Sequence, residues 1–359
     1  MTGLYFVALP AIAALILNLI LIPVILKLSH TYGWYDGNDH RKIHTEDTPR
    51  IGGLGIIVSF LVASLAGLTL FRVPGPMQTS GSLTSIVREL GPVYAGLLII
   101  FCIGIIDDFK NLRAIVKLIG QITAGTVVSF SAFRITGLAV PGIGSISFGI
   151  LGYPLTVLWI VGLVNAMNFI DGMDGLAGST SLVAAVFLSV IAFSLGNQQV
   201  GMLALALSGS LLGFLVFNAP PAKIFMGDSG STSIGFLLAV LPLFGSDGID
   251  GGMGLVPTVT LLLIPVIDTA AAILRRLRKG VPIYSPDREH LHHKLLDLGL
   301  GTWKILLVVC GGGMLAGLAA LIWVQGPPLP GIAAVVTVWI AGTLSFLYLH
   351  KIRHAKPSV

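Results

Sequence analysis

The sequence predicts an all-α polytopic membrane protein of about eleven transmembrane helices. It reads as one integral-membrane domain over residues 1–359, with the N-terminus outside and the C-terminus cytoplasmic. Three observations predict this. Of the 359 residues 55% are hydrophobic and only 10% charged, with a mean hydropathy of +0.93, whereas soluble domains carry about 25% charged residues. Apolar stretches long enough to cross about 30 Å of hydrocarbon recur along the whole chain. With the N-terminus outside, Lys and Arg divide 18 to 3 in favour of the cytoplasmic side, only Arg72, Arg88 and Arg134 lying outside. That asymmetry is the positive-inside rule.

The first span, 4–29, opens with an apolar run too long for a signal-peptide core and without a charged region before it, so it reads as a retained helix. Further spans follow at 51–71, 91–107, 114–133, 151–169, 177–195, 200–218, 229–246, 254–274, 304–325 and 330–350. The third is short and either tilts or sits within the bundle. Residues 137–150, GLAVPGIGSISFGI, alternate around a Pro-Gly turn and read as a small outer hairpin. Neither an internal repeat nor a second soluble domain is evident. Cys102 and Cys310 lie inside apolar segments, which excludes a disulfide framework and a cysteine metal site. The net charge of +5 comes from basic residues in short loops and at helix ends, so topology explains it and a nucleic-acid partner is not expected.

The acidic residues carry independent information, because the positive-inside rule does not govern them. Thirteen of the 16 fall on the cytoplasmic side or in helix ends facing it. Five stand where apolar segments end: Asp107 and Asp108 in GIIDDFKN, Asp171 and Asp174 in NFIDGMDG, and Asp228 in FMGDSG. Charge at membrane depth is costly and marks function by default. Adjacent carboxylates raise each other's pKa unless a cation neutralises them, so Asp107, Asp108 and Asp228 are candidate ligands for a hydrated divalent metal. The plainer readings are a charge cluster paired with Lys110 and Arg113, and an N-cap role for Asp228 or Ser229.

Asn165, Asn168, Asp171 and Asp174 recur every three residues and would share a face on a continuing helix. Amides offer both donor and acceptor edges, suited to a uracil or a sugar; the plainer reading is a capped helix end with interhelical Asn bonds. Phe225, near Asn218 and Asp228, could stack a base or be lipid-facing bulk. In the loop SPDREHLHHK, Arg288, His290, His292, His293 and Lys294 concentrate donors on the same side. No further ligands accompany them to suggest zinc, so an anionic phosphate fits better, against the plainer reading of a basic loop facing anionic lipid. The loop 30–50 supplies Arg41, Lys42 and His44, followed by glycines that open a helix, without any Walker pattern. Asp268, inside the ninth span, reads either as a supporting residue or as the partner of a cationic neighbour.

Taken together, RKIH, the Asp-Asp pair, NAMNFIDGMDGLAG, Phe217-Asn218 with MGDSGS, and DREHLHHKL stand in the order found in the polyprenyl-phosphate N-acetylhexosamine-1-phosphate transferases, and over about residues 10–350 the chain resembles that family. The resemblance implies a cytoplasmic-face active site in the cell membrane. There an undecaprenyl-type phosphate attacks the β-phosphate of UDP-GlcNAc, releasing UMP. It implies Mg²⁺, with Mn²⁺ as a substitute, on Asp228, and a nucleotide site around Asn168, Asp171, Asp174, Asn218 and Phe225. Asp107 and Asp108 would serve the metal, or orient and deprotonate the lipid phosphate. Lys42 and the His loop would hold the pyrophosphate or sugar, with His44, Asn165 and Arg288 beside the substrate. A homodimer is implied by the resemblance alone.

The HLHH form resembles the UDP-GlcNAc branch, which starts teichoic acid or surface-polysaccharide synthesis. The branch using UDP-MurNAc-pentapeptide shows three adjacent histidines. The chemistry of the residues agrees: a phosphate monoester is already ionised near neutral pH, so the obstacle is repulsion between anions, which a metal and cationic donors relieve. A cation-coupled transporter is the competing class, but transporters place carboxylates near the midplane within repeats.

Overall fold

The computed structural model describes the backbone of residues 2–35, 48–70, 83–140, 142, 144–244, 253–282 and 289–355. The chain is helical almost throughout. In order run α1 (Thr2–Tyr32), α2 (Gly52–Leu70), α3 (Leu83–Lys110), α4 (Ala114–Ser129), α5 (Gly152–Ile170), α6 (Leu176–Ser194) and α7 (Gln198–Asn218). Then come α8 (Gly227–Val240), α9 (Leu255–Leu261), α10 (Leu263–Arg278), α11 (Leu291–Asp297), α12 (Thr302–Gln325) and α13 (Pro328–Ala355). The expected hairpin forms from β1 (Gly137–Val140) and β2 (Gly144–Ser147), antiparallel with Leu138 opposite Ile146.

Among the described residues eight helices are long and apolar enough to cross a membrane, or nine if α9 and α10 count as one span. The chain is therefore a multi-pass membrane protein, but the expected eleven spans are not reached. Two candidates fall short for different reasons. The 16 residues of α4 are apolar but few. The 14-residue α8 is walled in by protein, with every residue except Asp228 buried. By length neither passes as a span on its own, so eight or nine of the expected eleven are found among the described residues. The ninth span is broken: α9 and α10 meet at 82°. Pro265, in the first turn of α10, lacks the N–H that would continue the α9 ladder.

Helix α1 displays the burial logic. Leu9, Ile12, Ile16, Ile20 and Val24 form an exposed apolar stripe, while the polar Asn18 is wholly buried and donates to the Ser210 carbonyl of α7 at 2.6 Å. Apolar side chains face outward because the surrounding solvent is hydrocarbon, and interhelical polar bonds fasten the interior. Small residues set the closest approaches. At Gly209 of α7 a Cβ would collide with the Ala11 carbonyl of α1, and at Gly53 of α2 with the backbone of Gly230 in α8. The second contact pins the N-terminus of α8 against that of α2, where the acidic residues gather.

Candidate active site

The site is built around the N-terminus of α8. Asp107 and Asp108 occupy the last turn of α3, and successive helical positions point in different directions. Asp108 faces α8, accepting the backbone N–H groups of Asp228 at 2.6 Å and Ser229 at 3.1 Å. It thereby caps, from another helix, donors that the first turn of α8 leaves unpaired. Gly227, at φ +73°, makes this approach possible: a Cβ there would strike the Arg50 carbonyl and lie 2.8 Å from both Asp108 oxygens.

Asp107 faces α4. Its Oδ1 accepts the Leu112 N–H at 2.6 Å, and its Oδ2 lies 2.9 Å from Lys117 Nζ. The same ammonium is 2.8 Å from Asp228 Oδ2. Two carboxylates on different helices thus converge on one cation. The plainer sequence reading offers Lys110 and Arg113 as partners of Asp107-Asp108, and Lys117 is not singled out in either reading. The available signal is the short connection between α3 and α4, which folds the first turn of α4 back beside the last turn of α3.

Helix α5 ends at Ile170, so the expected continuous stripe stops there. Asn165 and Asn168 remain helical, Asp171 is the C-cap residue and Asp174 lies in the turn before α6. Asn165 is taken up between helices, donating to Gln121 Oε1 of α4 at 2.7 Å and to the Val161 carbonyl at 2.7 Å. Asn168 reaches α8, donating to Ser231 Oγ at 3.1 Å. Asp174 accepts the Ala222 N–H at 3.0 Å, and Asn218 accepts the Gly175 N–H at 3.1 Å while donating to the Ile224 carbonyl at 2.8 Å. These bonds lace the 171–175 turn to the 219–226 connection. The Phe225 backbone in turn joins that connection to Pro49 and Gly52. Asp171 is the acid of the turn left nearest the cluster. Burial pushes its pKa up to about 7; Arg50 pulls the other way, and the negative charges of Asp228 and Asp108 add to the rise.

The His loop closes the other side. His290 Nδ1 lies 2.9 Å from Asp268 Oδ2 in α10, whose Oδ1 accepts the Leu291 N–H at 3.0 Å. Asp268 thus partners His290. His292 is 2% exposed and stacks parallel to His290, and a Cβ on Gly172 would lie only 2.7 Å from its Nε2. The His loop and the Asp171–Asp174 turn therefore touch. His293 packs against His292 with ring centroids 4.2 Å apart.

Burial, seconded by His293, lowers the His292 pKa to about 4, while Asp268 opposes the shift and His290 adds to it. His292 is thus a neutral imidazole at pH 7, not the cationic donor the loop composition suggests. Lys294 is buried with Nζ 3.7 Å from the centre of the Phe346 ring. Phe169, inside the NAMNFIDGMDG motif, is flanked by His290 at 5.5 Å and the Arg276 guanidinium at 5.2 Å. Lys42, His44 and Arg288 lie outside the described residues.

The model of glycosyl transferase family 4 matches residues 91–246, which hold all five aspartates. The chain is 33% identical over 312 residues to a protein of Bacillus subtilis named probable undecaprenyl-phosphate N-acetylglucosaminyl 1-phosphate transferase, covering 87% of this chain and 83% of the relative. The chain belongs to the polyprenyl-phosphate N-acetylhexosamine-1-phosphate transferase family. A decaprenyl-phosphate N-acetylglucosaminephosphotransferase of Mycolicibacterium smegmatis is 33% identical over 323 residues, covering 83% of this chain and 78% of the relative. A phospho-N-acetylmuramoyl-pentapeptide-transferase of Lactiplantibacillus plantarum is 36% identical over a shorter stretch of 192 residues, 51% of this chain and 56% of the relative.

A transferase of this family invites a test of the expected metal. Among the described residues no group of three or more His, Cys, Asp or Glu side chains is arranged to hold one. The convergence of Asp107 and Asp228 on one ammonium nevertheless fits Mg²⁺. That ion takes hard oxygen ligands, and commonly one or two carboxylates together with substrate phosphates and water. Asp108 is the least suited of the expected three, because both its oxygens are engaged by α8.

Proposed function

We propose that the protein transfers GlcNAc-1-phosphate from UDP-GlcNAc to undecaprenyl phosphate at the cytoplasmic face of the cell membrane. UMP leaves, and lipid-linked GlcNAc pyrophosphate forms as the first membrane step of teichoic acid or surface-polysaccharide synthesis. The observation that carries the reading is the pair of carboxylates, Asp107 and Asp228, converging on one cation at the N-terminus of a buried helix. A site built to gather positive charge among carboxylates suits a reaction between anions.

In this reading an oxygen of the lipid phosphate attacks the β-phosphorus of UDP-GlcNAc and the α–β bridging oxygen departs with UMP. Mg²⁺ on Asp107 and Asp228 would neutralise the diphosphate. Lys117 would offset charge developing on the phosphoryl oxygens. Asn168, Asp171 and the turn laced by Asp174 and Asn218 would receive the nucleotide-sugar, and the His292 ring packed on Gly172 would close over it. The nucleophile is already ionised, so direct attack needs no strong base. Trapping a radiolabelled phospho-GlcNAc enzyme in the absence of lipid phosphate would overturn direct attack in favour of an aspartate nucleophile.

The UDP-GlcNAc branch is supported by the HLHH spacing and by relatives named for N-acetylglucosamine phosphate transfer that match most of the chain. The peptidoglycan branch has support over a shorter stretch. Purified protein, polyprenyl phosphate and Mg²⁺ should release UMP with UDP-GlcNAc, and not with UDP-MurNAc-pentapeptide or UDP-GalNAc, in a reaction abolished by EDTA and by Asp228→Ala. Release only with the MurNAc donor would move the protein to the other branch. Substrate uptake into vesicles without UMP would make it a transporter.

A further inference from the structure

The buried face of α10 carries a polar device that the proposed reaction does not yet use. Asp268, Ala272 and Arg276 are all buried and follow at four-residue intervals, so they line one face. Asp268 is 2% exposed and His290 5% exposed. The carboxylate makes two bonds to one short segment, one oxygen taking the Leu291 N–H and the other meeting His290 Nδ1. Arg276 lies against Phe169 of α5, and Phe169 lies against His290. The 82° break between α9 and α10 sets the direction of this face.

We infer that Asp268 is the positioning residue of the His loop, fixing both the start of α11 and the tautomer of His290. The first bond supplies a partner to the first backbone N–H of α11, which no intrahelical carbonyl can satisfy. The second favours the proton on Nδ1, leaving Nε2 as the acceptor of the neutral ring. A buried aspartate without a cationic or N–H partner would be strongly disfavoured, so the pair holds itself in register. Through the parallel stacking of His290 on His292, and of His292 on Gly172, the register set by Asp268 reaches the Asp171–Asp174 turn. Asp268 touches no substrate in this account; it acts through His290.

The inference rests on the proposed transferase reading. Asp268→Asn separates its two tasks. The amide oxygen can still accept the Leu291 N–H, but the amide nitrogen then faces His290 Nδ1 and drives the ring into the opposite tautomer. For metal-bound histidines, losing the partner of the second ring nitrogen costs roughly 10- to 100-fold in metal affinity or activity, and we take the same scale for a His290 whose tautomer is reversed. We expect Asp268→Asn to lower kcat by that factor, with KM for UDP-GlcNAc and the thermal midpoint near the wild-type values. In a His290→Gln background Asp268→Asn should cost nothing further, because the two act as one unit.

Wild-type kcat in Asp268→Asn, or an equal cost with and without His290, overturns the inference. If Asp268→Asn does not accumulate folded, Asp268→Glu keeps the charge but displaces it by one methylene. Reduced kcat at unchanged KM then supports the inference, and wild-type kcat refutes it. An inactive wild-type enzyme would sink the transferase reading instead. Nitrogen NMR of histidine-labelled protein would then still report whether the His290 tautomer changes in Asp268→Asn.

Discussion

Replacing Lys117 with methionine keeps much of the side chain's volume and removes the ammonium between Asp107 and Asp228. Its Nζ lies 2.9 Å from one carboxylate oxygen and 2.8 Å from the other, so those oxygens are under about 6 Å apart. Two unit charges at that separation repel by about 3 kcal/mol at an effective dielectric of 20. Lys117 is 29% exposed, so solvent screens part of this. A loss of roughly 1–3 kcal/mol follows, lowering the thermal midpoint by several degrees. The assay is thermal unfolding of the purified protein in detergent, in EDTA and then with Mg²⁺ titrated in. Lys117→Met should be less stable than wild type in EDTA and recover most of the difference with Mg²⁺, while wild type gains less. Transferase turnover should fall at least about 100-fold, on the scale of removing one donor from a developing oxyanion. Equal midpoints for the two proteins in EDTA, together with an absence of any larger Mg²⁺ response in the variant, would refute the shared-cation reading.

The His292 ring should write itself into the acid stability of the protein. Its folded pKa, about 4, lies below the ordinary histidine value of about 6.5. The stabilisation from keeping it neutral is therefore present above pH about 6.5 and lost as pH falls toward 4, because the unfolded chain takes up the proton first. His292→Gln should lose on the order of 1–2 kcal/mol less stability than wild type between pH 7 and pH 5; parallel losses would mean the ring is not held neutral. Gly172→Ala places a Cβ 2.7 Å from His292 Nε2. Turnover should drop about tenfold or more while the thermal midpoint stays near wild type, because the turn is exposed at Gly172; full activity would show that the ring yields freely. Gly53→Ala drives a methyl group into the Gly230 backbone where α2 meets α8. It should destabilise by about 1–3 kcal/mol, and an unchanged midpoint would mean these helices separate easily.

The outline of the fold and the membership of the site are legible in the sequence for different reasons. Apolar runs report directly on the bilayer, which is why most spans are found as expected, while the hairpin is legible from the alternation around its Pro-Gly turn. The apolar signal cannot say whether lipid or protein surrounds a run, so the burial of α8 among other helices is not visible in it. A proline early in a helical pattern warns of a break but not of its 82° angle. The five aspartates are conspicuous because charge is rare in such a chain, and three of them gather at the α8 N-terminus while Asp171 and Asp174 lie on the turn beside it. Their partners are not conspicuous. Lys117 looks like one more basic residue, and Asp108 becomes a helix cap only when α3 and α8 meet. The three-residue spacing from Asn165 to Asp174 suggests a single stripe, yet helix termination at Ile170 divides it among α4, α8 and the 219–226 connection.

The most direct test follows the phosphorus. UDP-GlcNAc labelled separately at the β-phosphorus and in the sugar should be incubated with the protein, undecaprenyl phosphate and Mg²⁺. The products are then separated into lipid and aqueous fractions. Both labels should appear together in one lipid product at equal molar amounts, with unlabelled UMP in the aqueous phase, and neither should transfer in Asp228→Ala. Sugar label in the lipid with the β-phosphorus left behind in UDP would contradict the proposed reaction, because the enzyme would then transfer a sugar and not a phosphosugar.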